Sequence, residues 1–345
     1  MSMPGRILIV KLSSLGDIVH ALPAACSLRA TYPQAKIAWA VERRWLPLVA
    51  SRAAWDEVFP VDTLRLRGDP RTWPDFLGEM RALRAFAPEV ALDLQGTFKS
   101  ALVARCSGAP RRLGFAAPAL REPGAGFLYT QRVAPQSVHI VDQMMDLAAG
   151  LGPLQRVRQF PFPIPDDVAA GVQRWLEDNR VGPFVFLSPG GGWASKRWPT
   201  ERYASLAEVL LRDHGLASVL NRGPGEQAMD DAFRRASAIR ARIFSGDTLH
   251  LAAMLRQARL VVGGDTGPLH LAAALGTPVV ALFGPTDPRR NGPYSSLAIV
   301  LRKEDRVSYA RSRRYSPAML ALTVEEVAAA CAEVLRLPAL GTTSA

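Results

Sequence analysis

With 345 residues the chain is too long for one ordinary hydrophobic core and fits two domains of about 150 to 170 residues each. Hydrophobic residues make up 48% and charged residues 21%, ordinary globular values, and no apolar run is long enough for a membrane-spanning helix. The net charge of +11 favours polyanionic partners, but no zinc-finger or RNA-recognition pattern accompanies it, so nucleic acid is not expected.

Along the chain, short apolar runs alternate with helical patterns, which predicts parallel sheets wound by helices. The expected strands of the first half are "RILIVK", "KIAWAV", "EVFPV", "VALDLQ" and "RRLGFA". Those of the second are "FVFLSPG", "ASVLNRG", "ARIFSG", "RLVVGGD", "PVVALFG" and "LAIVLR". A representative helix is "TERYASLAEVLLRDHG", expected to open at a Thr cap and close on Gly215. Between the halves, "LGPLQRVRQFPFPIPDD" carries prolines at 153, 161, 163 and 165, which forbid regular structure and predict an extended linker. The expected division is 1–155, a linker at 156–166, and 167–345, with an amphipathic last helix, "TVEEVAAACAEVLRL", able to pack on either domain. "RILIVK" reads as a buried strand and lacks the order of a signal peptide. Cys26, Cys106 and Cys331 suit neither a zinc site nor a disulfide framework. A reduced, cytoplasmic protein with no metal site is expected.

Three turns carry the chemistry. In "KLSSLGDIVHALPA", Asp17 either caps the following helix, with Gly16 allowing the turn, or acts as a general base on an acceptor hydroxyl. Ser13 and Ser14 would then assist with hydrogen bonds, and spacing does not decide between the two roles. In "SPGGGWASKRWP", consecutive glycines let backbone amides approach a phosphate, and Lys196 supplies a point charge for a diphosphate. The alternative there is a flexible turn with a surface lysine; the loop is neither a Walker A sequence nor G-x-G-x-x-G. In "GGDTGPLHLAAAL", the amides of Thr266 and Gly267 stand ahead of Pro268 at the positive end of a helix. Asp265 either caps that helix or accepts from sugar hydroxyls, and His270 is either an ordinary helix histidine or a ligand contact.

The 42 basic residues include only five lysines, and three of them, Lys11, Lys99 and Lys196, fall at or near strand-to-helix turns. Arginines gather in loops of the first half: Arg65, Arg67, Arg71, Arg111, Arg112 and Arg121. They form either a solvated surface or a grip on an acidic ligand. Arg121, in "REP", and Lys99, in "DLQGTFKSALVA", stand on the expected ligand side.

Taken together, "ILIVKLSSLGDIVHALPA", "DLQGTFKSALVAR", "REP", "SPGGGWASKRWP" and "GGDTGPLHLAAALGTPVVALFGPTDP" resemble the bacterial lipopolysaccharide heptosyltransferases over nearly the whole chain. The resemblance implies an α/β GT-B fold, with two Rossmann-like doubly wound parallel-sheet domains facing a central cleft. The N-terminal domain would bind the acceptor and the C-terminal one ADP-heptose, with inversion at the anomeric carbon and no metal or other cofactor. It implies that Asp17 is the catalytic base. Gly191, Gly192, Lys196, Glu226, Asp265, Thr266, Gly267 and His270 would bind the donor, with Glu226 at the nucleoside. Ser13, Ser14, Gly16, Lys99 and Arg121 would bind the acceptor, with Arg121 holding its acidic sugar.

The implied partners are ADP-heptose, a Kdo-lipid A type acceptor and, transiently, the anionic inner face of the inner membrane; a monomer is expected. "SSLGD" and "REP" favour the enzymes that add the first heptose to Kdo, whereas "PGGGWASKRWP" favours those that add the second, so this choice stays open. The loop near residues 60–75 aligns poorly and receives no assignments. Two rivals stand beside this expectation: a GT-B enzyme using another sugar nucleotide or acceptor, and a non-catalytic nucleotide- or polyanion-binding protein. A dehydrogenase is disfavoured because no dinucleotide fingerprint follows any strand.

Overall fold

The structure, a computed structural model, describes residues 3–50, 54–63, 71, 73–303, 306–309 and 312–337. It divides into two compact units, Met1–Pro163 and Ile164–Ala345. In the first unit the strands are β1 (Arg6–Val10), β2 (Lys36–Glu42), β3 (Glu57–Val61), β4 (Val90–Asp93), β5 (Arg111–Phe115) and β6 (Gln131–Val133). The helices are α1 (Leu15–Thr31), α2 (Leu46–Val49), α3 (Trp73–Ala85), α4 (Phe98–Cys106) and α5 (Ile140–Ala148). The second unit holds β7 (Phe184–Ser188), β8 (Ala217–Asn221), β9 (Arg242–Phe244), β10 (Leu260–Gly264), β11 (Val279–Phe283) and β12 (Ala298–Arg302). Its helices are α6 (Asp166–Asp178), α7 (Thr200–His214), α8 (Gln227–Ala236), α9 (Thr248–Gln257), α10 (Gly267–Ala274), α11 (Pro288–Asn291), α12 (Pro317–Ala321) and α13 (Val324–Arg336).

Among the described residues each unit has one six-stranded sheet, ordered β3-β2-β1-β4-β5-β6 and β12-β11-β10-β7-β8-β9. Every strand pair in both is parallel. Parallel strands covered by helices on both faces read as continuous apolar runs, and β7, β10 and β11 are buried at every position. The two orders are the same topology. In each, the strand order reverses between the first and fourth strands, β1 and β4 or β7 and β10. Ligands of such sheets bind outside the carboxyl ends of the strands at that switch point. The three turns singled out from the sequence follow β1, β7 and β10.

All eleven expected strands form. β6 was not expected: it is a three-residue edge strand whose Gln131 and Arg132 are exposed, so no apolar pattern marks it. The α7 cap also differs. Thr200 is the first helical residue and is buried, and Pro199 occupies the cap position; Gly215 closes the helix with φ of 64° as expected.

The proline-rich segment is extended but its first part is held. Gln155 N–H donates to Thr31 Oγ1 at 2.9 Å and Val157 N–H to Ser27 Oγ at 2.9 Å, so α1 supplies the partners that a strand or helix would have. The last helix commits its buried face, Val327, Ala330, Cys331 and Val334, to the core of the second unit. Among the described residues no helix is long and apolar enough to cross a membrane.

Candidate functional site

The turn after β1 leads into α1 with Ser14 at the cap position and Asp17 three residues inside. The Asp17 carboxylate accepts from the Ser14 N–H at 3.2 Å and the Ser14 hydroxyl at 3.1 Å, the return half of a capping box. It is also an ion-pair centre. Arg121 Nη2 lies 3.0 Å from Oδ1 and Nη1 3.3 Å from Oδ2, and Lys11 Nζ is 3.8 Å from Oδ1. Burial by itself would raise the Asp17 pKa, but Lys11 and Arg121, aided by His20 and the Ser14 amide, hold it well below the usual carboxylate range. The one carboxylate thus both caps the start of α1 and takes part in an ion pair.

The loop before Asp17 is fixed from the turn that follows β4. Gln95 Oε1 accepts from Leu12 N–H at 2.8 Å and Ser13 N–H at 3.1 Å, and buried Lys11 donates to the Leu94 carbonyl at 2.9 Å. Gln95 and Gly96 in turn donate backbone N–H groups to buried Asp93, which also accepts from Ser100 and from Tyr129 Oη at 2.7 Å. Burial pushes the Asp93 pKa up despite these donors.

Lys99, on α4, donates to Glu42 Oε1 at 2.6 Å and to Ser13 Oγ at 3.5 Å. Glu42 ends β2 and also accepts from Thr63 and Arg44. Burial would raise its pKa, but Lys99 and Arg44 bring it down. No sequence motif marks Glu42, Asp93 or Gln95 as site residues, and only the scarcity of lysine points at Lys11. Gly16 is buried in the first turn of α1, and Arg71 is exposed. Arg65 and Arg67 lie outside the described residues.

In the second unit, Lys196 Nζ stands 2.6 Å from Asp265 Oδ2, and His270 Nε2 stands 2.9 Å from Oδ1. The Asp265 side chain is only 8% exposed. Burial opposes its charge, but the His270 hydrogen bond and Lys196 prevail and hold its pKa well below the usual range. An ionised Asp265 makes the His270 Nε2 the N–H-bearing nitrogen. Asp265 does not cap α10: Thr266 is the cap residue, Gly267 and Pro268 open the helix, and the Thr266 hydroxyl is buried without a partner among the described residues.

The glycine loop packs around Glu226, whose carboxylate accepts from Gly191 N–H at 3.3 Å and Gly223 N–H at 2.8 Å. A Cβ on Gly190 would lie 2.1 Å from Glu226 Oε1, so a side chain there would displace the Glu226 carboxylate. Gly191 instead abuts Thr266, and around Gly192 there is open space. Trp193 lies beneath the Lys196 ammonium, 4.8 Å from ring centroid to Nζ, while Trp198 is a core residue donating to the Leu322 carbonyl at 2.9 Å. Among the described residues no group of three His, Cys, Asp or Glu side chains is placed to hold a metal ion.

Two Rossmann-ordered units in one chain are the architecture of the GT-B glycosyltransferases. The chain belongs to glycosyltransferase family 9, the heptosyltransferases, which it matches over residues 79–333. It is a glycosyltransferase. Its relatives include lipopolysaccharide heptosyltransferase 1 of Pseudomonas aeruginosa, 32% identical over 300 residues, with 84% of this chain and 81% of the relative covered. Lipopolysaccharide heptosyltransferase 2 of Escherichia coli K12 is 30% identical over 320 residues, covering 86% of this chain and 88% of the relative. Among solved structures, the E. coli heptosyltransferase WaaC with ADP superposes with a TM-score of 0.73 at 27% identity, covering 95% of this chain and 99% of that one.

Proposed function

We propose that the protein transfers L-glycero-D-manno-heptose from ADP-heptose to the Kdo or first heptose of the lipopolysaccharide inner core, inverting the anomeric centre without a metal. The observation that carries this is the second-unit cluster. An ammonium held by a buried carboxylate stands with a helix amino terminus and an unpartnered hydroxyl at the carboxyl end of β7 and β10. Such a site suits a nucleotide diphosphate. Heptosyltransferase relatives support the sugar, and the WaaC structures hold ADP and ADP-2-deoxy-2-fluoro heptose.

The reaction is direct displacement. The acceptor oxygen bonds to the anomeric carbon as the bond to ADP breaks; the acceptor proton passes to Asp17, and the electron pair leaves with the diphosphate. Lys196 and the amides near Gly191, Gly192, Thr266 and Gly267 meet the developing charge. Fixed donors of this kind are usually the largest catalytic contribution. A base held far below its normal range is a weak one. An acidic acceptor sugar that draws Arg121 onto itself removes one of the two cations on Asp17 and strengthens it as a base.

Calorimetric titration with ADP, UDP and GDP, beside transfer assays with the matching sugar nucleotides, tests the donor. Binding and turnover confined to the adenine series are expected. A preference for UDP or GDP would move the chain to a GT-B enzyme of different donor, and binding without any transfer would favour a nucleotide-binding protein.

A further inference from the structure

Beside Arg121 the first unit carries two large apolar side chains that its core does not take up. Phe98, at the start of α4, is 52% exposed, and Phe127 is 88% exposed. Both stand at one turn. Phe127 belongs to the 3₁₀ turn Pro123–Leu128, in which residues three apart lie on one face, so Gly124 and Phe127 share that face. A Cβ on Gly124 would sit 3.8 Å from the Phe98 ring. Beneath the turn Leu120 and Leu128 pack on Ala101, Ala125 and Tyr129, so a small core is formed without either phenylalanine.

The surroundings are basic. Arg132 Nε donates to the Gly126 carbonyl at 3.1 Å, Arg112 Nε to the Leu128 carbonyl at 2.9 Å, and Arg121 precedes the turn. The stretch 120–132 has one acid, Glu122, and its carboxylate accepts from the Phe98 N–H at 2.7 Å. Aromatic rings standing proud among arginines match the interface of an anionic bilayer, where rings enter the headgroup boundary and guanidinium groups meet phosphates.

We propose that Phe98 and Phe127 form a docking ridge that seats the first unit on an anionic membrane surface next to Arg121. The ridge would present the acceptor site to a lipid-borne acceptor; that purpose rests on the function proposed above, whereas the membrane contact does not. The test is sedimentation of the full chain with vesicles of equal parts phosphatidylcholine and phosphatidylglycerol, against phosphatidylcholine alone. The variant is Phe98→Ser/Phe127→Ser, with thermal melting as the control for folding.

The parent chain should sediment with the anionic vesicles, and the variant should partition at least about tenfold more weakly at an unchanged melting temperature. Its KM for acceptor embedded in vesicles should rise, while KM for a deacylated, water-soluble acceptor and for ADP-heptose stays put. A vesicle difference without turnover on either acceptor upholds the ridge and removes the proposed substrate. A parent chain that stays in the supernatant, equal sedimentation of parent and variant, or a ridge that instead mediates self-association overturns the proposal.

Discussion

Arg121 clasps Asp17 across 104 residues of sequence, Nη2 to Oδ1 at 3.0 Å and Nη1 to Oδ2 at 3.3 Å. The residue expected to hold the acceptor's acid thus holds the carboxylate expected to take the acceptor's proton. Arg121 is 42% exposed against 18% for Asp17, so the arginine is the partner that an incoming anion can reach. In the proposed mechanism, exchange of one carboxylate for another on Arg121 would couple acceptor arrival to the strength of the base.

Asp17→Asn should leave ADP affinity intact and lower turnover by about 100-fold or more, the range for loss of a general base. In the parent enzyme, kcat/KM, which reports the free protein, should show no acid limb in the ordinary carboxylate range, because Lys11 and Arg121 keep Asp17 ionised there. Arg121→Ala should move that limb to higher pH, since one of the cations that oppose burial is gone. An identical limb in both proteins would separate the arginine from the base.

Arg121→Ala should also raise the acceptor KM by tenfold or more, about 1.4 kcal/mol, with the donor KM nearly unchanged. Steady-state kinetics with each substrate varied in turn measures the split. Equal changes in both would mark Arg121 as structural.

Lys196→Met should weaken ADP binding and also destabilise the second unit, since it strips the ammonium from a buried carboxylate. Loss of one partner of a fully buried pair costs about 3 to 5 kcal/mol; with Lys196 17% exposed, about 1 to 3 is expected. Lys196→Met/Asp265→Asn should recover much of the melting temperature but not the ADP affinity. Asp265 has its pKa depressed on folding, so the pair's stabilisation is complete above about 3.8 and is lost as pH falls through the folded value. The melting difference between parent and Lys196→Met should therefore be full at neutral pH and shrink in acid.

The strands were legible because buried parallel strands leave unbroken apolar runs, and the turns because Gly-Asp or Gly-Gly-Gly follows such runs within a few residues. What the sequence concealed is pairing over distance. Lys196 and Asp265 are 69 residues apart, and Glu42 closes β2 with no motif around it, yet it fixes Lys99. The stability of Lys196 variants is tied to the site by that pair. Two tryptophans beside one glycine run had opposite fates: Trp198 goes into the core and Trp193 stays with the lysine, a difference set by tertiary packing rather than by spacing.

The glycines offer a contrast in one assay. Gly264→Ala would place Cβ 2.5 Å from the Lys196 carbonyl oxygen, where backbone must shift; a loss of about 1 to 3 kcal/mol and weaker ADP binding are expected. Gly192→Ala meets nothing within 4 Å and should melt within about 0.5 kcal/mol of the parent. Equal behaviour of the two would mean that β10 and the Lys196 turn are not in contact as described.

The most direct measurement is mass spectrometry of a Kdo-bearing lipid A acceptor after incubation with ADP-heptose and the parent chain, beside Asp17→Asn and Lys196→Met. The expected result is an acceptor heavier by one heptose residue with the parent chain, and little or none with either variant. An unchanged acceptor with the folded, ADP-binding parent chain would contradict the proposed transfer; undiminished product with both variants would contradict the roles given to Asp17 and Lys196.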